Sequence, residues 1–449
     1  MARNLLLAIA FFISCSISIS AQQLNSPQLD SLVKAYVAVN KFNGTALVIK
    51  DGKKVHHRNY GYQHAAFKKE FTKNNIFSIG SLTKSFTALV VLKLAEENKL
   101  SIQDPVSKYL PDYPRGNDIQ LKHLLSNTSD IYEIFRNPKF SSQLSSVHTF
   151  SNEEKLAFFK NEPLDFEPGT QFSYCNSGFI LLGIIIEKVT GIPYSDAVNN
   201  YIFKPLKMTN SGFDFPNLEN KRKVTSYSFV SATKQAETKP WNASLISSTG
   251  GLYSSAEDLL KFYKGLTTFK IISKQSYDSA TTPVLGGYGY GWYIDKIHDE
   301  KVINHGGNVE GATSYFLMQP EKNICIILLN NITSISLEKL GNTLYAALQN
   351  KPYSLPKPNI EISLEDRILK KYTGTFEVSE TYKVEISAEA GRLFMKVNTE
   401  DRIPMSAESE QVFFTNEADI VLEFISENEK VVQLKIRQGL GTKVADKIG

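Results

Sequence analysis

The chain is poor in several residue types that would fix its class at once. Its 449 residues include only 3 Cys, 2 Trp and 5 Met. So few cysteines cannot build a disulfide framework, and a chain this long has core enough to stand without one. With 26 Gly and 17 Pro, the composition lies far from collagen-like or low-complexity chains. Charge of one sign is also missing, because 50 basic side chains face 46 acidic ones and leave a net +4. No clustered excess of Lys and Arg appears, so nucleic acid is not an expected partner. No apolar run approaches the roughly 20 residues of a membrane-spanning helix. No internal repeat and no metal-ligand spacing is present. The only histidine pair, His56-His57, sits on an expected strand whose neighbouring side chains point to opposite faces. No metal and no cofactor is expected, and the ligand should be small or neutral. Length alone allows two or three domains.

The first 21 residues read as an address. Arg3 precedes the apolar run Leu5 to Ile13, and small and polar residues lead to Ala21 before Gln22, the order of a secretory signal. Export to the periplasm or medium is therefore expected, with no transmembrane anchor after processing. Lipid attachment at Cys15 is the lesser alternative, because the usual preceding Leu is absent. Loss of Arg3 with this segment lowers the net charge to +3. Cys175 and Cys325 remain. Cys325 lies in Ile324 to Leu329, which reads as a buried strand, and both thiols are expected to be free.

Periodicity then divides the chain. Thr45 to Ile49, the turn Asp51-Gly52 and Lys53 to Val55 read as a hairpin. Ser81 to about Glu96 reads as a helix apolar nearly all round, hence buried, and Gly178 to Ile186 as another, ended by Gly191 and Pro193. Ala256 to Tyr263 is helical in pattern and Gly286 to Trp292 is a Tyr/Gly-rich loop. Ser314 to Met318 and Asn323 to Leu329 read as adjacent strands, and Leu337 to Leu348 as a closing helix. Strands at both ends with helices between give an α+β class, one antiparallel sheet built from the two chain ends and flanked by helices, with a helical subdomain. This first domain is placed at 22–350. A Pro-rich linker follows at 351–363, with Pro352, Pro356 and Pro358. Residues 364–449 alternate with period two, as in Tyr382/Val384/Ile386, Leu393/Met395/Val397, Ile420/Leu422/Phe424 and Val432/Leu434/Ile436, and read as a small all-β barrel or sandwich.

Three groups of residues can carry chemistry. Ser81 and Lys84 share a helix face, so the amine can reach the hydroxyl. A serine needs an adjacent base to become a nucleophile, and a lysine whose pKa is lowered by burial can supply it. The spacing alone says nothing, since it recurs at Ser31/Lys34, Ser231/Lys234, Ser336/Lys339 and Ser354/Lys357. Only Ser81 opens a fully apolar helix, behind Ile79-Gly80. The second group is Tyr174-Cys175-Asn176, where a loop Tyr can move a proton and an Asn can bond a substrate amide, or where a core Tyr merely precedes a capping Asn. The third is His305-Gly306-Gly307-Asn308, whose glycines let substrate lie near the backbone and whose N–H groups can join that of Ser81 in an oxyanion hole. Taken alone it is an ordinary glycine turn.

Ile79-Gly80-Ser81-Leu82-Thr83-Lys84, Tyr174-Cys175-Asn176 and His305-Gly306-Gly307, in that order, resemble the serine beta-lactamase and penicillin-binding-protein superfamily. The likeness is strongest to its class C-like branch, with D-aminopeptidases, DD-carboxypeptidases and esterases. It extends over about residues 30–348 through His123 to Ser129, Phe179 to Tyr194, Thr249 to Ser254 and Tyr290-Gly291-Trp292. The resemblance implies an acyl-enzyme mechanism. Ser81 would be the nucleophile, Lys84 and Tyr174 would share base and acid work, Asn176 and His305 would contact substrate, and Gly307 and Asn308 would frame the oxyanion site. Two departures stand out. The family's K-T-G is here H-G-G, without the Lys and Thr that anchor a substrate carboxylate, which favours an esterase or D-amino-acid peptidase over an efficient beta-lactamase. The phrase H-T-S-G is here Asn127-Thr128-Ser129-Asp130, which puts the loop shape in question. The C-terminal β module resembles lipocalin-like modules appended to this family. The expected function is an exported serine hydrolase acting on an amide or ester, with D-amino-acid peptides, cell-wall-derived ones included, small esters and beta-lactams as the candidate substrates. The alternative is a non-catalytic or slowly acylated penicillin-binding sensor of the same fold.

Overall fold

Chain segments from opposite ends of the first domain pair into its central sheet. The computed structural model describes residues 26–230, 235–333, 337–379, 382–398, 402–415, 420–438 and 441–448. The expected signal segment and Cys15 lie outside them, as do Ser231, Lys234 and Ser336. The elements that position the site are helix α1 (Ser26–Ala38), strands β1 (Gly44–Lys50) and β2 (Lys53–Tyr60), and helices α2 (Thr83–Glu96), α3 (Asn176–Thr190), α4 (Ala243–Gly250) and α5 (Ala256–Thr267). Strands β3 (Tyr293–Ile297), β4 (Glu300–Val309), β5 (Ala312–Gln319) and β6 (Ile324–Asn330) follow, then helix α6 (Leu337–Leu348). The sheet runs β3-β4-β5-β6-β1-β2 and is antiparallel throughout.

Alternation along β1 and β6 assigns the two faces. Ala46, Val48, Ile326 and Leu328 pack with α1 and α6, while Leu47, Ile49, Ile327 and Leu329 join the larger core that contains α2, α3 and α5. A strand covered on both faces needs apolar residues at every position, which is why Ile324 to Leu329 is an unbroken run. Helix α2 is buried from Thr83 through Leu92, and α3 from Ser177 through Ile186. Helix α3 ends on Gly191 at φ 70°, a left-handed cap that glycine adopts without penalty. Cys175 and Cys325 are both buried free thiols. Among the described residues no single helix is long and apolar enough to cross a membrane.

One segment differs from its sequence reading. His305 to Asn308 is not a turn but lies inside β4, with Gly307 opposite Ser314 on β5. Gly307 is there because another part of the chain needs its space, as the site shows.

After residue 350 the chain runs extended, held at Pro352 by His298, whose Nε2 donates to the Pro352 carbonyl at 2.9 Å, and at Ile362, whose N–H donates to Ala407. The C-terminal module is a closed barrel of eight antiparallel strands from Gly374–Ser379 to Gly441–Lys447, the last pairing back on the first at Phe376 and Lys447. Phe376, Leu393, Phe413, Leu422 and Leu434 fill the interior together with Leu369 and Tyr372 from the segment entering it. Eight strands enclose a space that side chains can fill, and here they do.

Candidate active site

Ser81 sits in a single 3-10 turn, Gly80–Leu82, that leads directly into α2. Gly80 has φ +50°, and a Cβ there would lie 2.7 Å from the Asn308 nitrogen. The turn is thus pressed against β4. A Cβ at Gly307 would lie 1.9 Å from the Ile79 carbonyl oxygen, which also accepts a 2.7 Å bond from the Ser314 hydroxyl. Two glycines facing each other bring the Ser81 turn and the Asn308 backbone together, and both residues line one cavity of about 190 Å³.

Lys84 lies in the first turn of α2 and is fully buried. Its ammonium has three donors, and each has an acceptor: Ser81 Oγ at 3.0 Å, Asn176 Oδ1 at 2.7 Å and the Thr249 carbonyl at 3.0 Å. Burial drives its pKa down to about 7, with the nearby Glu133 carboxylate opposing that shift. At neutral pH a large share of the side chain is therefore free amine, able to accept the Ser81 proton while still donating to Asn176 and Thr249.

Asn176 begins α3 and is oriented from two sides. Its Oδ1 accepts from Lys84 and from the Thr249 hydroxyl at 2.8 Å, while its Nδ2 donates to Glu133 at 2.8 Å and its backbone N–H to the other Glu133 oxygen at 2.5 Å. Tyr174 lies just ahead, with the Lys84 nitrogen 4.9 Å from its ring centroid and its hydroxyl in hydrogen-bonding contact with Ser81. Desolvation first, and neighbouring Tyr293 second, hold the Tyr174 phenol well above its ordinary pKa, so it is a proton donor and not a phenolate at neutral pH.

The altered phrase at 127–130 supports this segment. The Asn127 side chain accepts from the Cys175 N–H at 3.1 Å and its carbonyl accepts from Ser173 at 2.9 Å. Asp130 adopts φ 58°, the left-handed conformation that glycine favours and that Asp tolerates, and its carboxylate accepts from the Phe166 N–H. Asp130 thus holds here a backbone conformation of the kind glycine favours.

His305 is brought to the site but not to its opening. It is 1% exposed, its Nδ1–H donates to the Gly306 carbonyl at 2.6 Å, and its Nε2 accepts from the Tyr288 hydroxyl at 3.0 Å. Burial, then repulsion from Lys84, pushes its pKa down to about 3. The expected substrate contact is corrected accordingly: a neutral ring with both nitrogens engaged backs the site through Tyr288, Tyr293 and Tyr174. Ser81, Asn176 and Asn308 line the cavity; Lys84 lies beneath it, and Gly307 holds its wall. Sequence reasoning missed Glu133 entirely, and it gave no role to Thr249, Phe135 or Trp241. Of these only Thr249 stood in a recognisable phrase, Thr249-Gly250-Gly251.

Comparison with known proteins agrees with this geometry. A family model described as Beta-lactamase matches residues 29–350, and one described as a domain of unknown function, DUF3471, matches 358–446. Penicillin-binding protein 4* of Bacillus subtilis is 26% identical over 430 residues, covering 90% of this chain and 94% of that protein. Protein flp of Staphylococcus aureus is 29% identical over 73% of this chain and 67% of its own length. Among solved structures, the octameric penicillin-binding protein homologue of Pyrococcus abyssi superposes with a TM-score of 0.68 at 27% identity, over 94% of this chain and 100% of that one. A D-stereospecific amidohydrolase from Streptomyces gives 0.60 at 25%, over 69% and 95%. A match spanning the whole first domain, with Ser81, Lys84, Tyr174 and Asn176 gathered around one cleft, makes this chain a member of the beta-lactamase family.

Proposed function

We propose that the protein is an exported serine hydrolase that works through an acyl-enzyme on Ser81 and acts on amides or esters, D-amino-acid amides and small esters ahead of beta-lactams. The observation that carries this reading is the Lys84 amine, 3.0 Å from Ser81 Oγ and held near pKa 7 by burial. Neutral Lys84 takes the Ser81 proton as Oγ attacks the carbonyl carbon. The backbone N–H groups of Ser81 and Asn308 hold the oxyanion. The proton then passes from the Lys84 ammonium through the Tyr174 hydroxyl to the leaving nitrogen or oxygen, so both side chains return to their starting forms. Water adds to the acyl carbon by the reverse route and frees Ser81. Export is inferred from residues 1–21 alone. The substrate preference draws on the neutral, buried His305 and on the amidohydrolase likeness.

The test is labelling of purified protein with a fluorescent fluorophosphonate and turnover of nitrocefin, p-nitrophenyl acetate and D-alanine p-nitroanilide, each beside Ser81→Ala. A Ser81-dependent adduct with turnover of the ester or anilide is the expected result. Absence of any Ser81-dependent adduct removes the hydrolase reading. A stable Ser81-dependent nitrocefin adduct without turnover of any of the three substrates supports the sensor instead.

A further inference from the structure

The cavity at Ser81 has a composition of its own. Apart from Ser81, Asn176, Thr249 and the Gly250 and Asn308 backbone region, its walls are Phe135, Trp241, Ile246 and Val309. The two rings meet at 5.4 Å between centroids with planes 39° apart. Phe135 is fixed from behind, and Trp241 is held by its ring contact with Phe135 and by the backbone beside it. Phe135 packs edge-on to Phe140 at 5.0 Å, and its N–H donates to Glu133. Trp241 precedes Asn242, whose side chain caps α4 and also holds the carbonyls of Ser146 and His148. Rings anchored in this way form a standing pocket wall and do not have to be ordered by the ligand.

Size and charge then narrow the occupant. An apolar cavity of about 150 Å³ holds a benzene ring, so about 190 Å³ takes one ring with its methylene. Among the described residues no Arg, Lys, Asp or Glu lines the cavity. The buried cation beneath it, Lys84, already has three acceptors, and the His305 ring is neutral. A carboxylate on the acyl group would lie against these apolar walls without a charged partner, which disfavours it relative to a neutral group.

We propose that Phe135 and Trp241 form an acyl-side specificity pocket for a single aromatic or branched apolar side chain, and that the pocket rejects acyl groups bearing a carboxylate. The proposal rests on the hydrolase reading above and adds the substrate class. It is tested with three p-nitrophenyl esters that share a leaving group: acetate, phenylacetate and hydrogen succinate. The full chain should prefer phenylacetate to acetate by at least about tenfold in kcat/KM, the discrimination an apolar pocket gives for added methylene-sized groups, and should use the succinate least. Trp241→Ala should collapse the phenylacetate-to-acetate ratio toward one, and Trp241→Phe, which keeps a ring, should restore much of it. Equal use of acetate and phenylacetate by the wild type, or an unchanged ratio in Trp241→Ala, overturns the pocket while leaving the hydrolase in place. Failure of all three esters together with no Ser81-dependent adduct removes the hydrolase reading, and the pocket with it.

Discussion

Glu133 gives the sharpest test of the site, because its removal should move the pH profile in a direction opposite to simple damage. It faces Lys84 across the Asn176 amide, through hydrogen bonds of 2.8 Å and 2.7 Å. That path puts the two charges roughly 7 Å apart, where at an effective dielectric of about 20 a unit charge contributes about 2.4 kcal/mol. The negative charge favours the Lys84 ammonium, so Glu133→Gln should lower the Lys84 pKa by roughly one to two units at about 1.4 kcal/mol each. Since Lys84 must be neutral to accept the Ser81 proton, the acid limb of kcat/KM, expected near pH 7 in the wild type, should shift down by that amount. The plateau should fall as well, because a glutamine has one acceptor oxygen where Glu133 takes bonds from both the Asn176 N–H and its Nδ2. The assay is kcat/KM for a p-nitrophenyl ester between pH 5 and 9. A limb that stays fixed, or moves to higher pH, refutes both Lys84 as the base and Glu133 as its electrostatic counterweight.

Tyr174→Phe should reduce anilide hydrolysis by about 10² to 10⁴ and p-nitrophenyl ester hydrolysis much less, since p-nitrophenolate leaves without a proton; equal losses on both would contradict the donor role. Gly307→Ala should lower both the melting temperature and kcat/KM, because its Cβ would meet the Ile79 carbonyl oxygen at 1.9 Å and neither backbone segment can yield without moving Ser81 or Asn308. A calorimetric scan showing no change in melting would disprove that contact. Tyr372→Ala, which empties a place against Phe424 at 4.5 Å and Phe413 at 5.4 Å, should cost the barrel about 3–5 kcal/mol. Turnover of a small ester at Ser81 should persist in that variant below the barrel's own transition, and its loss would tie the barrel to catalysis.

Much of this architecture was legible because apolar runs report burial directly. Helix α2 could be singled out from five serine-lysine spacings because only Ser81 stands before residues buried on every side, Thr83 through Leu92. Strand β4 was misread because Gly306 and Gly307 interrupt its alternation. The missing side chain of Gly307 answers to the Ile79 carbonyl, a neighbour that no local pattern announces. Glu133 was invisible for the same reason, lying 43 residues from the Asn176 it orients. In the barrel, four strands alternated cleanly and four did not. Val412–Thr415 has only four residues, Ile403–Ala407 contains Pro404, and Gly441–Lys447 carries two lysines and an aspartate. Closure pairs every strand, so the backbone ladder on both sides holds these short polar segments without help from an alternating apolar pattern.

The charges around Ser81 also bear on what the site can accept. His305 is neutral and Tyr174 is protonated near pH 7, so Lys84 and Glu133 are the groups that decide the field at Ser81. When Lys84 is the free amine, and therefore competent, the Glu133 carboxylate stands uncompensated. A second carboxylate brought in by a substrate would stabilise the ammonium further and raise the Lys84 pKa, withdrawing the base at the moment of binding. Among the described residues the same anion would find no cation along the cavity wall. Where a motif of the K-T-G type supplies a lysine for that anion, H-G-G supplies none, and the buried His305 cannot take its place without charging at a pKa pushed down to about 3. The proposed exclusion of anionic substrates is therefore not one residue's doing. It follows from a base tuned by burial and steadied by a single carboxylate, an arrangement that works for a neutral acyl group and defeats itself with a charged one.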